Sequence, residues 1–324
     1  MTALFPAANV PLISGTYKML DYPTDIYDGY TYEEYYTVPC DGYLLCNCVV
    51  EGYCNISNES DTILKRIENL ENTIISEKNL EYLRFKIISW NMEFFGQGTG
   101  TTNRITTQEL YEYYRPIYRG IFDEVSADFV GICEYEPIFF SGHPEYTTRR
   151  ELFQYYKSYG EFYKTPDNSS LAFFSHYNIT NVVEVAFNQY APGEYRFYIM
   201  GDLVIGTKTI KIIVQHISWQ TEYYESQSNQ LISDMSSYDY VIIMGDFNSP
   251  PSVFEKFKNN GYICANCDYM GSIKTIPGTY QGGAIDNIVV KGGTVTKVEV
   301  PNVNEGYDPI LSDHYPIICD VIFS

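Results

Sequence analysis

Positive charge is scarce in this chain. Its 324 residues carry 21 Lys and Arg against 41 Asp and Glu, a formal net charge of −20. A protein that grips nucleic acid over a broad surface needs a basic face, so this composition excludes that mode of binding; any polyanion has to be held locally. Long apolar runs are also missing, and none approaches the roughly 20 residues of a bilayer-spanning helix. The N-terminal Met1-Thr-Ala-Leu-Phe-Pro lacks the basic segment and apolar core of a signal peptide, so none is expected. Cysteines are present but poorly spaced for a metal cage. Cys40, Cys46, Cys48 and Cys54 contain no C-x-x-C pair, Cys264 and Cys267 make only one, and Cys133 and Cys319 stand alone in apolar runs. Reduced, partly buried thiols are the expectation, not structural zinc. The 33 tyrosines are scattered without interleaved basic residues. That pattern favours strand and surface usage over a stacking platform for bases.

The chain changes character along its length. Residues 1–58 are rich in Pro, Gly, Asp and Tyr and read as a small β unit with an Asp41-Gly42 turn. Residues 59–84 read as a helical linker in which Ile63, Ile67, Leu70 and Ile74 alternate spacings of four and three, flanked by Lys65, Arg66, Glu68 and Glu71. Such a seam, over 61–82, suits a short coiled coil that assembles copies of the chain or a helix lying on a domain.

From residue 85 to 324, β-branched runs alternate with helical periods. Strands are expected at Phe85–Trp90, Asp128–Cys133, Leu171–Phe174, Arg196–Met200, Thr209–Val214, Tyr240–Met244, Ile285–Val290 and Tyr315–Ile322. Thr107 is placed to cap a helix with Leu110, Tyr114, Ile117, Ile121 and Val125 in register, kinked at Pro116. Further helices are expected at about 148–158, 221–236 and from Pro251 to Gly261. Hairpins mixed with crossovers predict an α/β fold of two packed mixed sheets flanked by helices.

Hard-oxygen and imidazole groups collect at the ends of these strands. Asn91 and Glu93 follow the first, Glu134 the second, His216 the strand from Thr209, and Asp246 and Asn248 the strand from Tyr240; Asp286 opens another, and Asp313 and His314 precede the last. Asp246 and Asn248 are two residues apart, so in extended backbone both point to one face. Oxygen donors of this kind suit Mg²⁺, Mn²⁺ or Ca²⁺.

The segments Ile88-Ser-Trp-Asn91-Met-Glu93, Val130-Gly-Ile-Cys-Glu134, Val214-Gln-His216, Met244-Gly-Asp246-Phe-Asn248, Ile285-Asp286-Asn and Leu311-Ser-Asp313-His314 occur in one order. Residues 85–324 thereby resemble the endonuclease/exonuclease/phosphatase superfamily. The resemblance implies the deoxyribonuclease I-like four-layer sandwich and a Mg²⁺-dependent phosphodiesterase, with Mn²⁺ or Ca²⁺ as substitutes. It also assigns roles. Glu134, Asn91, Glu93 and Asp313 would serve the metal. Asp246 and Asn248 would position water and phosphate, with Asn91, Arg149 and Arg150 also binding substrate. His314 would be the general base polarised by Asp286, and His216 would bind or protonate a phosphate oxygen. Cys133 departs from the usual Gln, and the carboxylate that orients His216 is unassigned, Asp167 being a candidate by location.

DNA is the expected substrate, because Asp286-Asn-Ile-Val-Val and Ser312-Asp-His-Tyr-Pro are most similar to deoxyribonuclease I. A phosphoinositide or sphingomyelin phosphohydrolase of the same fold is the alternative. Residues 1–58 resemble the attachment segments of bacteriophage tail and fibre proteins, which implies attachment to a viral particle and a cytoplasmic or virion-associated setting. A structural or adhesive particle protein with an inactive domain is the rival from another class. If residues 61–82 assemble the chain, light scattering gives an oligomeric mass for the full protein and a monomer after removal of residues 1–80. An unchanged monomer mass would remove the coiled coil.

Overall fold

The computed structural model describes residues 83–96, 105–164, 169–276, 283–306 and 311–324, together with the backbone of four short strands between residues 9 and 45. The chain divides into two compact units, Met1–Asn79 and Leu80–Ser324. In the first, β1 (Asn9–Leu12) pairs antiparallel with β4 (Gly42–Leu45), and β2 (Gly15–Leu20) with β3 (Glu33–Val38). The expected helix over 61–82, the cysteines from Cys40 to Cys54, and Asp167 lie outside the described residues.

Two six-stranded mixed sheets build the second unit. One has β7 (Lys157–Lys164), β8 (Ser169–Ser175), β6 (Phe129–Cys133), β5 (Leu83–Asn91), β16 (Ile317–Phe323) and β15 (Thr294–Glu299) side by side in that order. The other has β9 (Ile179–Ala186), β10 (Phe197–Ile205), β11 (Lys208–His216), β12 (Tyr240–Asp246), β14 (Asp286–Lys291) and β13 (Tyr262–Cys264). The central strands are apolar on both faces because both faces are covered. On β5, Phe85 and Ile87 enter the core between the sheets, while Ile88 and Trp90 point to the outer helix layer. On β12, Ile242 and Met244 face inward and Val241 and Ile243 outward. A period of two with no polar face produces the continuous hydrophobic runs seen in the sequence.

The outer layers are helices. Helix α1 (Gln108–Val125) starts at Thr107, whose hydroxyl accepts the Leu110 N–H, and covers the first sheet. Its buried stripe is aromatic: Tyr111, Tyr114, Tyr118 and Phe122. Of the expected stripe, Tyr114 is buried, whereas Leu110, Ile117, Ile121 and Val125 are only partly so, since the rings take the deepest position against Trp90, Phe95 and Phe139. Pro116 does not break α1; it lies on the exposed side, where water serves the carbonyl it leaves free. The helix expected over 148–158 is shorter. Here α2 (Thr148–Leu152) ends early, and Lys157–Lys164 pairs with β8 instead, so sheet pairing outweighs local propensity. Helices α3 (Thr221–Asp234) and α4 (Pro251–Asn259) cover the second sheet, and α5 (Ala265–Met270) follows β13.

One glycine is required by packing beside the polar strand ends. Gly245 has φ +142°, and a Cβ there would overlap the backbone oxygen of Gln215 on the parallel neighbour β11. Gly271 is also left-handed, at φ +63°, but nothing crowds its missing side chain. Gly245→Ala is therefore expected to cost about 3 kcal/mol and Gly271→Ala about 1 kcal/mol, the second reflecting backbone strain alone. Denaturant titration of both variants checks the ranking.

Candidate active site

Strand register assembles the polar groups in rows. His216 on β11 pairs with Asp246 on β12, and Asp246 pairs with Asp286 on β14, so three functional side chains lie abreast at one end of a sheet. On the facing sheet, Asn91 of β5 lies beside Cys133 of β6, and Glu134 follows. The rows meet at the amide of Asn91. Its Nδ2 donates to Glu134 Oε1 at 3.2 Å and across the sheets to Asp246 Oδ2 at 3.1 Å, while its Oδ1 accepts the Glu93 N–H at 3.1 Å.

The segment 311–314 closes the constellation. Ser312 donates from its hydroxyl to the Asn91 carbonyl at 2.7 Å, the Asp313 N–H donates to Glu93 Oε2 at 3.1 Å, and Trp90 Nε1–H donates to the His314 carbonyl at 2.9 Å. His314 Nδ1 lies 2.7 Å from Asp286 Oδ2, and its Nε2 faces Asp246 Oδ2 at 3.9 Å and Asp313 Oδ1 at 3.7 Å. Asp286 is fixed in turn by the Thr275 hydroxyl, which donates to Oδ2 at 2.5 Å and accepts the Asp286 N–H at 3.2 Å. Thr275 is a positioning residue that sequence reasoning missed, because it sits eleven positions away in an irregular segment.

Asn248 reaches the same point by a route other than the expected one. It is not extended: its φ is +44°, and the turn brings its N–H to Asp246 Oδ1 at 2.7 Å. Its Nδ2 donates to the Ile217 carbonyl at 2.9 Å and lies 3.1 Å from His216 Nε2. The carbonyl fixes which end of the amide is nitrogen, so Nε2 accepts and the His216 proton resides on Nδ1. That nitrogen has no hydrogen-bond partner among the described residues. Glu93 and Glu134 share the left-handed backbone, at φ +43° and +52°. Three non-glycine residues of one site in this region carry strain of roughly 1–2 kcal/mol each, which functional sites tolerate.

Burial governs the charges. Glu93 and Asp246 are each pushed up to about 7, first by desolvation and then by like charge, from Asp313 and Asp286 respectively. Glu134 and Asp313 are raised for the same leading reason, although the Asn91 amide opposes the rise at Glu134 and the His314 charge opposes it at Asp313. Burial opposes charging of His314, yet Asp286, Asp246 and Asp313 outweigh it and lift the imidazole to about 10. His216 moves well below its ordinary value through burial, helped by the charges of Arg196 and His314, and is neutral. Arg149 and Arg150 are not drawn into this network. Both are exposed on α2, and Arg150 bonds the Glu145 carbonyl and pairs with Glu151. The charge of Arg196, like that of His314, reaches Glu134 and His216.

The donor set fits a divalent cation. Asp246, Asp286 and His314 offer ligand atoms within 4.8 Å of one another, but the Asp286–His314 contact is already a hydrogen bond, which leaves the oxygens of Asn91, Glu134, Glu93 and Asp313 as the better cradle. Oδ1 of Asp313 is buried without a hydrogen-bond partner among the described residues, as is Oδ1 of Asp286. Several crowded carboxylates with orphaned oxygens are the arrangement a hard cation relieves.

Two six-stranded sheets under helices, with this acidic and histidine cluster at their shared end, define the deoxyribonuclease I-like four-layer sandwich, a class of divalent-metal-dependent phosphoester hydrolases. The sequence model of the Endonuclease/Exonuclease/phosphatase family matches residues 88–314, and the chain belongs to that family. Among solved structures it is similar to the human Nocturnin catalytic domain with bound sulfate, at 16% identity and TM-score 0.56 over 75% of this chain and 97% of that one. ANGEL2, a 2',3'-cyclic phosphatase in complex with adenosine-2',3'-vanadate, is 15% identical with TM-score 0.58 over 75% and 97% of the two chains. D. rerio TDP2 with a single-strand DNA product is 14% identical with TM-score 0.53 over 74% and 99%. At these identities the likeness establishes the fold. Comparison with curated proteins gives no match.

The raised carboxyl of Glu93 has a consequence for stability. Its folded value of about 7 exceeds the ordinary 4.5, so between those values the folded state binds more protons than the unfolded one and stability falls as pH rises. Glu93→Gln keeps an acceptor for the Asp313 N–H and removes the charge. In EDTA at pH 8 the variant is expected to be more stable than the parent by on the order of 1–3 kcal/mol, the gain shrinking toward pH 5. Thermal melts at both pH values check this.

Proposed function

We propose that the protein is a divalent-metal-dependent phosphodiesterase that cleaves DNA by in-line attack of water. The observation that carries this reading is the Asn91 amide joining Glu134 of one sheet to Asp246 of the other, with His216 and His314 on either side of Asp246. The family is hydrolytic and acts on phosphoester bonds.

Each residue has a role set by its environment. On binding, the proton of the neutral His216 moves from Nδ1 to Nε2, and Nε2 and the Asn248 Nδ2, 3.1 Å apart, donate to non-bridging oxygens of the scissile phosphate. Asp246 Oδ2 and His314 Nε2 hold the attacking water between them. As its oxygen bonds to phosphorus, its proton passes to His314 Nε2, and the bond from phosphorus to the leaving oxygen breaks. Asp286 keeps Nδ1–H directed at itself and stabilises the imidazolium. Glu134, Asn91, Glu93 and Asp313 would hold Mg²⁺, and the chemistry it would supply is neutralisation of charge on the phosphoryl oxygens and the leaving group. The positive charge of a cation at those carboxylates would also lower His314 from its raised value towards neutrality, where it accepts a proton. Residues 1–58 and the linker 59–84 present the enzyme on a virion or other particle.

Nicking of supercoiled plasmid by the purified protein with Mg²⁺, beside His314→Ala and an EDTA control, tests the reading. Metal-dependent nicking that falls by at least about 100-fold in the variant is the expected result. A folded wild-type protein that leaves the plasmid intact but releases phosphate from phosphoinositides or phosphocholine from sphingomyelin would transfer the same chemistry to a lipid substrate.

A further inference from the structure

At the His216 end of its sheet the protein exposes a bare indole on a rigid loop. Trp219 is 60% exposed, whereas the other tryptophan, Trp90, is fully buried. The loop that carries it is tied down on three sides. The Ile217 N–H donates to the Asp246 carbonyl at 2.9 Å, and the Ile217 carbonyl accepts from Asn248. The Ser218 N–H donates to Gln227 Oε1 on α3 at 2.8 Å, and the Ser218 hydroxyl donates to Glu194 Oε2 at 2.8 Å. The backbone leading into Trp219 is thus fixed while its indole is left in water, which presents the ring as a contact surface.

The neighbouring hairpin supplies a cation and a second ring. Tyr198 pairs with Gln215, so residues just before β10 lie beside those just after β11. Arg196 is there, its Nε 3.3 Å from the same Glu194 Oε2 that receives Ser218, and its charge is felt at Glu134 and His216. Tyr190 is 39% exposed and packs edge-on against Tyr195, 5.7 Å between centroids. Two exposed rings therefore stand on the histidine side of the site, with the Arg196 guanidinium near them, its side chain 11% exposed and paired with Glu194. Aromatic faces with a cation bind single-stranded nucleic acid, because stacking needs an unpaired base and the cation takes the adjacent phosphate.

We propose that Trp219 and Arg196 form a subsite for an unpaired nucleotide next to the scissile phosphate, which makes single-stranded nucleic acid the preferred substrate. This rests on the phosphodiesterase reading above and narrows it. A lipid surface is the poorer occupant, because one exposed indole is not a broad apolar face.

Because Trp90 is buried, fluorescence quenching reports on Trp219. In the His314→Ala background with Mg²⁺, a single-stranded dT12 is expected to quench the emission strongly and its duplex with dA12 weakly. In the active protein, Trp219→Ala should lower the single-strand to duplex preference in kcat/KM about tenfold, mostly through KM, and Trp219→Phe should restore most of it. Circular dichroism confirms folding of each variant. Equal quenching by both forms, or an unaltered preference in Trp219→Ala, overturns the subsite. So does a blue shift on sphingomyelin and phosphatidylcholine vesicles with no response to dT12. Plasmid cleavage that depends on His314 but ignores Trp219 removes this inference and leaves the phosphodiesterase. Quenching by dT12 without cleavage of any DNA removes the phosphodiesterase and leaves the subsite.

Discussion

Everything in the catalytic end of this fold turns on one side-chain amide. Asn91 holds carboxylates from two different sheets within hydrogen-bond distance of a single nitrogen. Without that donor, Glu134 and Asp246 would face each other with nothing between them, and like charges so placed separate or neutralise. The inter-sheet core sets how close the sheets come, and the amide converts that spacing into chemistry. Its own position is secured from behind by the Ser312 hydroxyl on its carbonyl. Packing, register and electrostatics are thus one constraint seen at three scales.

The site is costly to the apo protein. Four acids share it with raised affinities for protons, and three of its residues hold a left-handed backbone without being glycine. Proteins place such conflict where function requires it and offset it in the core. Here the offset is aromatic. Trp90, Tyr118, Phe122, Phe153 and Phe174 are fully buried in the layer under α1, and Trp90 spends its one donor on the carbonyl of His314.

The central strands were legible because burial on both faces writes an unbroken apolar run. Edge strands were not. β9 and β15 expose many of their residues, so their sequences resemble loops, and the start of β7 falls inside the helix expected over about 148–158 because Thr148 to Leu152 does begin as one. At the site, Asp246, Asp286, His216 and His314 were legible as acids and imidazoles at strand ends. The turns that aim Glu93, Glu134 and Asn248 were not, since nothing in a glutamate announces positive φ and an asparagine only favours it. Neither were the supporting roles of Thr275 and Arg196, which depend on folds of the chain that bring distant segments together. Scattered tyrosines argued against an aromatic binding surface, yet the exposed ring that matters is a tryptophan three residues past His216.

The pairing of β16 with β5 joins the last described strand of the chain to the first strand of the second unit. β16 lies between β5 and β15, so the sheet that carries Asn91 and Glu134 cannot close until residues 317–323 have been synthesised. His314 also arrives only then. During translation most of these strands would be present while the candidate site still lacked His314, so the site is assembled only after the bulk of its two sheets has emerged.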